Sequence, residues 1–441
     1  MKKLDRPEMR LVDEADERLA EVLPAELVVE LGAIAGLCRE GLMAVAVEAG
    51  LATAMAMMRS EAEVLCGGWN ARDPQRTHVR GGSAPTSVVM GGQKLPIRRP
   101  RVRSVEGDEE VQLETFGVFA QGDLLNRVVV ERMLAGVATR SFERVADPIG
   151  AEQRAKASST SKSTVSRRFV TGTKKALEEL MARNLTELDP VAVMIDGTDF
   201  GGATVVASMI VTADGTKVPV GLRLGDTENA TVVTEVLADL VDRGLDVTGG
   251  VLVVIDGAKA LAAGVRRVFG EHAVIQRCIL HKRRNVTDHL PIKDRKRVDS
   301  KLAGIFANPD PQSGLRRAKL LAAELAKTSP DAAGSLREGL DDMFTVRRLG
   351  IDGTLAATLT TTNMIESMFS IVGTTTRNVK RWRNEGDMRR RWAAAGMLEA
   401  ETRFRRVKGY RQLGELKSAL ARHTAANVTP TCDTETNELA A

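Results

Sequence analysis

The sequence predicts an α/β protein: a small mixed sheet with acidic residues at its strand ends, preceded and interrupted by helices. Three observations carry this. Two short apolar runs, VAVMID (Val191 to Asp196) and VLVVID (Val251 to Asp256), each end in one aspartate followed by a glycine. Runs of this length, rich in β-branched residues, read as buried strands. The residues between them alternate as strand, turn, strand and then helix, whereas most of what precedes Pro190, and the stretch from Arg277 to about Gly350, has helical spacing.

Residues 1–23 are charged and read as loosely ordered. Pro24 to Leu65 is rich in Ala, Leu and Met and reads as two helices broken near Gly41 or Gly50, with Met55, Met57 and Met58 in the core. Thr86 to Arg103 reads as a β-hairpin: TSVVM, a Gly91-Gly92 turn, then KLPIRRPRVR. Its Arg98, Arg99, Arg101 and Arg103 form an edge that either touches phosphates or is simply solvated. Leu124 to Leu185 reads as helical, with breaks at GVATRS and KASSTSKS. The segment SKSTVSRR (Ser161 to Arg168) opens on a capping serine and runs into a long helix. Helix, turn and capped basic helix form the pattern of a helix-turn-helix, which would bring Lys162, Arg167 and Arg168 to DNA.

From Pro190 the period changes. After the first strand come strands over Ala203 to Thr212 and Lys217 to Leu224, joined by an Ala213-Asp214-Gly215 turn. A helix over Thr231 to Arg243 ends at Gly244, a favourable cap. VLVVID is followed by a helix over Lys259 to Phe269 and a short strand over Ala273 to Gln276. A three-stranded meander, a crossover helix and a strand returning beside the first is the order of an RNase H-like fold, which sets the two Asp-bearing strand ends side by side. The helical run from Arg277 to about Gly350 is too long for a connection and reads as an inserted domain. TTTNMIESMFS (Thr360 to Ser370) then opens a helix carrying Glu366.

Two strand-end aspartates and a helix-borne glutamate can converge on one metal site. Asp-Gly is also ordinary turn chemistry, and Asn363 and Glu366 have the spacing of a capping box. Asp199 reads as a turn residue, and Glu228 as either a supporting acid or a solvated loop residue. From Arg377 to Arg411 there are twelve Lys or Arg against four Asp or Glu, interleaved with Trp382, Trp392, Phe404 and Tyr410. Such a stretch near an acidic site suggests a polyanion held against metal ions, with Arg377, Lys380, Arg381 and Arg383 gripping phosphates if the Glu366 helix continues through them.

Composition agrees. The chain has 441 residues, 43% of them hydrophobic but only 3% aromatic, so the core is aliphatic. The formal charge is +5 and the isoelectric point about 9.0. Cys38, Cys66, Cys278 and Cys432 are scattered, which gives no disulfide framework and suits a reducing compartment. No signal pattern is visible, and Glu30, Arg39, Glu40 and Glu48 interrupt the apolar N-terminal region before it reaches a membrane span. A cytoplasmic, nucleoid-associated protein with no membrane partner is expected. A nucleotide-dependent α/β enzyme is the poorer reading, because no GxxxxGK[ST] loop and no strand followed by GxGxxG is present.

QRCILHKRRN (Gln276 to Asn285), TTNMIES (Thr361 to Ser367), the two Asp-Gly pairs in order, TTTRNVKRW and FRRVKGY together make the chain resemble the Mutator-like transposases of bacterial insertion sequences over nearly its whole length. The resemblance implies a DDE triad of Asp196, Asp256 and Glu366 in an RNase H-like catalytic domain with an all-helical insertion, preceded by a mainly helical DNA-binding region. It implies binding of terminal inverted repeats and target DNA, a dimer or higher oligomer on DNA, and metal-dependent strand cleavage and transfer. Carboxylate oxygens suit two Mg²⁺ or Mn²⁺ ions. Cys278, His281, Arg284 and Asn285 match a supporting motif, whose CxxH offers only two of the four ligands of a structural zinc. Met368 to Gly373 departs from the pattern of many members at a place of local DNA contacts. The expected division is 1–123 (helices and basic hairpin), 124–189 (helix-turn-helix), 190–290 (first part of the core), 291–355 (insertion), 356–424 (core completion and basic helices) and 425–441 (tail). The competing function is a DNA-binding regulator of the same fold that does not cut.

Overall fold

The computed structural model describes residues 25–427, apart from 69–72, 74, 91–92, 107–108, 121, 143–160, 226–229 and 384. The charged N-terminal stretch, the Gly91-Gly92 turn, Glu228 and the C-terminal tail fall outside the described residues. So do the helix and most of the turn expected before Ser161. The chain divides into two compact units, Met1–Arg132 with Val137–Phe169, and Met133–Gly136 with Val170–Ala441.

In the first unit one long helix, α1 (Ala25–Cys66), lies against a three-stranded antiparallel sheet of β1 (His78–Met90), β2 (Gln93–Ser104) and β3 (Glu110–Val111). α2 (Glu114–Ala120) and α3 (Gly122–Leu134) follow. The expected break in α1 does not occur. A helical glycine costs only about 1 kcal/mol relative to alanine, and Ala54, Met58, Ala62 and Cys66 repeat at helical spacing to bury one stripe against Val88, Val102 and Leu113. Met58 is in that core, but Met57 points to solvent, 45% exposed, because it sits one position off the stripe. The hairpin is longer than expected: pairing runs back to His78 opposite Ser104 across a bulge between Arg80 and Ser83. Its arginine edge is partly internal, since Arg99 and Arg101 both bind Glu110. α4 (Lys162–Ala182) spans the boundary between the units. Ser161 opens it, its Oγ accepting from the Thr164 amide at 3.4 Å.

The second unit is built on β4 (Pro190–Asp199), β5 (Thr204–Thr212), β6 (Lys217–Gly225), β7 (Val251–Ile255) and β8 (Ala273–Arg277), in the order β6-β5-β4-β7-β8. β4, β5 and β6 are antiparallel, and β4, β7 and β8 are parallel. The β-branched runs are buried throughout, and α5 (Ala230–Asp242) and α6 (Lys259–Phe269) cover one face with Val233, Val236, Leu237, Leu261 and Val265. Gly264 lets these helices meet, since a β-carbon there would strike Val233.

After β8 the chain leaves the sheet as α7 (Ile279–Asp288), α8 (Ile292–Phe306), α9 (Pro311–Ala326), α10 (Pro330–Arg337) and α11 (Thr345–Arg348), with their own core around Leu302, Leu321, Leu336 and Phe344. α12 (Gly353–Leu359), α13 (Asn363–Thr376), α14 (Met388–Thr402) and α15 (Leu413–Asn427) return it, with α13 against β4 and α14 against β6. No helix among the described residues is long and apolar enough to cross a membrane.

Candidate active site

The parallel pairing of β4 with β7 sets Val193 opposite Val253 and Met194 opposite Val254. Asp196 and Asp256 each lie two residues further along, so equal steps along neighbouring strands bring both to the same edge of the sheet. Asp196 is still within β4 and is only 6% exposed. Its Oδ1 accepts from the Gly197 amide at 2.9 Å. Asp256 stands just past β7, and its Oδ1 accepts from the Ala258 amide at 2.6 Å, which turns the chain into α6. Gly257 makes that turn at φ 136°, a conformation L side chains rarely adopt.

The turn is held from behind. Arg277, at the end of β8, donates through Nη1 to the Gly257 carbonyl at 2.9 Å and through Nε to Asp342 Oδ2 at 3.1 Å. Gln276 beside it is fully buried and fully paired, donating to the carbonyls of Arg277 and Met343 and accepting from the Val346 amide. The base of the helical insertion is thereby tied to the strand end that carries Asp256.

Glu366 lies beside Cys278 and His281 because α13 starts where α7 starts. The Cys278 amide donates to the Ile255 carbonyl at 2.7 Å, and the Ile279 amide to the Thr360 carbonyl at 3.0 Å. Glu366 lies in the first turn of α13, where the helix dipole favours a carboxylate. The capping box does not form: the helix caps on Thr362, with no side-chain cap bond. Thr362 Oγ1 instead donates to Glu366 Oε1 at 2.7 Å and lies 3.3 Å from His281 Nδ1. Its amide donates to Cys278 Sγ at 3.4 Å. His281 Nε2 is 3.9 Å from Glu366 Oε1.

The His281 imidazole is pushed up to about 9, first by its hydrogen bond to Cys278 and further by the carboxylates of Asp196 and Glu366, against burial. Burial pushes the Cys278 thiol up, and hydrogen bonds from His281 and Thr362 outweigh it, so the thiol is lowered. Among the described residues, Cys278, His281 and Glu366 form a group whose ligand atoms lie within 4.8 Å of one another. The Thr362 hydroxyl lies within 3.4 Å of all three side chains, so a hydroxyl already sits amid them. Arg284 and Asn285, from the same motif, are exposed on α7.

The basic residues separate. α13 ends at Thr376, so Arg377, Lys380, Arg381 and Arg383 do not continue it, contrary to the expectation; they lie exposed on the irregular segment that follows. That segment is anchored to the end of β4. Trp382 packs on Phe200 with ring centroids 4.8 Å apart and covers Gly201, whose φ of 64° and missing side chain admit the ring. Arg389 adds two bonds to the Gly201 carbonyl at 2.8 and 3.0 Å. The other aromatics of the stretch serve packing: Trp392 is buried, Phe404 lies under Lys217 and Tyr410 under Arg406. In the first unit Lys162 and Arg167 are exposed, whereas Arg168 turns to Asn126 Oδ1 at 3.4 Å. A basic groove of about 820 Å³ lies between α1 and the hairpin, lined by Arg59, Arg80, Arg98 and Arg101. The sequence reading missed Thr362 and Arg277. Both lie inside quoted motifs, TTN and QRC, but their partners are remote in sequence.

The Mutator-family transposase model matches residues 38–399. A probable transposase for an insertion sequence element from Corynebacterium diphtheriae is 31% identical over 226 residues, 48% of this chain and 64% of that protein. A probable transposase for insertion sequence element ISRM3-like from Sinorhizobium fredii is 26% identical over 239 residues, 54% of this chain and 58% of that protein. The transposase of IS1081 from Mycobacterium tuberculosis is 27% identical over 267 residues, 58% of this chain and 61% of that protein. The matched stretch therefore spans less than two thirds of each of these relatives. With the family model matching residues 38–399, which include both Asp-Gly strand ends, QRCILHKRRN and TTNMIES, the chain belongs to the Mutator family of transposases.

Proposed function

We propose that the protein is a DNA transposase of DDE type, whose RNase H-like sheet presents Asp196, Asp256 and Glu366 to two divalent ions. One observation carries this: the β4–β7 register sets the two aspartates abreast, and the chain leaving β8, the strand beside β7, starts α7 where the Glu366 helix starts. The strand order β6-β5-β4-β7-β8, three antiparallel and two parallel, supports the fold assignment.

The donor set fits hard cations. All three triad groups are carboxylates, and the soft thiol of Cys278 is buried behind Thr362. Mg²⁺ or Mn²⁺ held there would supply charge for activating water and for the leaving 3′ oxygen in an in-line displacement at phosphorus. The chain's own part is to keep the carboxylates in place. Asp196 is fixed by burial and by the Gly197 amide, Asp256 by the turn that Arg277 clamps, and Glu366 by Thr362. No protein nucleophile is required.

DNA is the proposed substrate. The exposed cations on the segment anchored by Trp382 would grip phosphates beside the site, and the arginine groove with Lys162 and Arg167 would take the terminal repeats, with two copies of the chain holding two ends. The deciding experiment incubates the protein with a terminal-repeat duplex and Mg²⁺ and looks for nicks with 3′-OH ends. Binding without nicking would favour the non-cutting regulator.

Neutralising Lys380, Arg381 and Arg383 together is expected to weaken binding equally for end and random DNA, since phosphate contacts carry no sequence information. It should flatten the slope of log K against log salt by up to about 0.9 per lost contact. A loss confined to end-sequence duplex in a binding titration would show that they read bases instead.

A further inference from the structure

We propose that Thr362 is a positioning residue for Glu366: its buried hydroxyl, braced by His281 and Cys278, holds the carboxylate by Oε1 and leaves Oε2 for a divalent ion. This rests on reading Glu366 as a metal-holding acid.

A threonine at a helix N-cap ordinarily turns its hydroxyl to accept from a backbone amide of the first turn. Here Thr362 caps α13 at φ −85°, ψ 9° and makes no such bond. The hydroxyl is directed to Glu366 Oε1 at 2.7 Å, a distance typical of a strong bond to an ionised acceptor.

A hydroxyl has one hydrogen. With that hydrogen on Glu366, the oxygen is left to accept from His281 Nδ1 at 3.3 Å, while Cys278 Sγ takes the Thr362 amide at 3.4 Å. The residue is 0% exposed, so water cannot replace any of these partners. Its β-branched side chain has few χ1 states available. Glu366 is the opposite case: its side chain is 41% exposed and has three rotatable bonds. The contacts the structure gives its carboxylate, to Thr362 and His281, both fall on Oε1. Without the hydroxyl the side chain is free to swing toward solvent.

The test compares full-length Thr362→Val, Thr362→Ser and Glu366→Gln. Mn²⁺ binding is read from the electron paramagnetic resonance signal of the free ion, and cleavage of end DNA is read across Mn²⁺ concentrations. Thr362→Val keeps the shape and removes the hydroxyl. It is expected to weaken Mn²⁺ binding about 10- to 100-fold, the usual cost of losing a partner that orients a metal ligand. Its cleavage should recover in part at high Mn²⁺, and Thr362→Ser should restore both readouts. Wild-type Mn²⁺ affinity in Thr362→Val overturns the proposal. So does a Thr362→Ser variant as impaired as the valine, because the methyl group would then be what matters. If Thr362→Val does not fold, His281→Gln removes the brace from the other side, and unchanged Mn²⁺ binding there overturns the proposal. If Glu366→Gln itself binds Mn²⁺ and cuts like wild type, the triad reading fails and takes this proposal with it. A silent Thr362→Val beside a dead Glu366→Gln overturns the proposal alone.

Discussion

Asp196→Asn and Asp256→Asn are each expected to lower cleavage of end DNA by at least about a hundredfold at saturating Mg²⁺, since losing even an outer-shell partner of a metal costs 10–100-fold. Neither change should unfold the protein. The amide has the shape of the carboxylate and can still accept from the Gly197 or Ala258 amide, as the aspartates do. The melting midpoint of each variant without metal should therefore stay close to that of the wild type. The check is a pair of measurements on each variant, melting without metal and nicking with it. A variant that melts early and also fails to cut would show a structural role instead, and strong residual nicking would remove that aspartate from the triad.

Phe344→Ala is expected to cost about 3–5 kcal/mol, the range for removing a large buried ring. Phe344 is 1% exposed in the core of the insertion, its ring centroid 5.7 Å from that of Phe306. Gly314 leaves it room, because a β-carbon there would strike the ring. The consequence should reach the site. Phe344 shares a short helical turn with Asp342, which binds Arg277, which in turn binds the carbonyl of Gly257 next to Asp256. Denaturant unfolding should show the loss of stability. Hydrogen exchange should show faster opening of the insertion and of the Asp256 turn, with the β4–β5–β6 meander still protected. If exchange quickens in the insertion alone, the Arg277 clamp does not couple the two.

Much of the second unit was legible because its code is local. The buried strands announce themselves as β-branched runs, and α6 spans Lys259–Phe269 as expected because an apolar face at helical spacing runs up to Gly270. The same reasoning failed for α1, where glycines stand at unstrained positions and the stripe that keeps the helix whole needs a partner sheet to bury it. It failed again past Thr376, where the chain leaves the helix and Trp382 finds its place on Gly201, far away in sequence.

The sequence by itself determined the strands, the two Asp-Gly strand ends, the helix carrying Glu366 and the family, since each is written in short contiguous runs. Only the tertiary structure decided what surrounds them. Whether Asn363 and Glu366 make a capping box or Thr362 takes the glutamate is settled by Cys278, which precedes α7, and His281 within it, both next to Thr362. Which arginines face solvent and which are consumed internally, as Arg277 and Arg168 are, depends on partners that no local pattern specifies. The physical reason is the same in each case: backbone preference and burial pattern act over a few residues, whereas a buried polar group is satisfied by whatever donor the fold brings within about 3 Å of it.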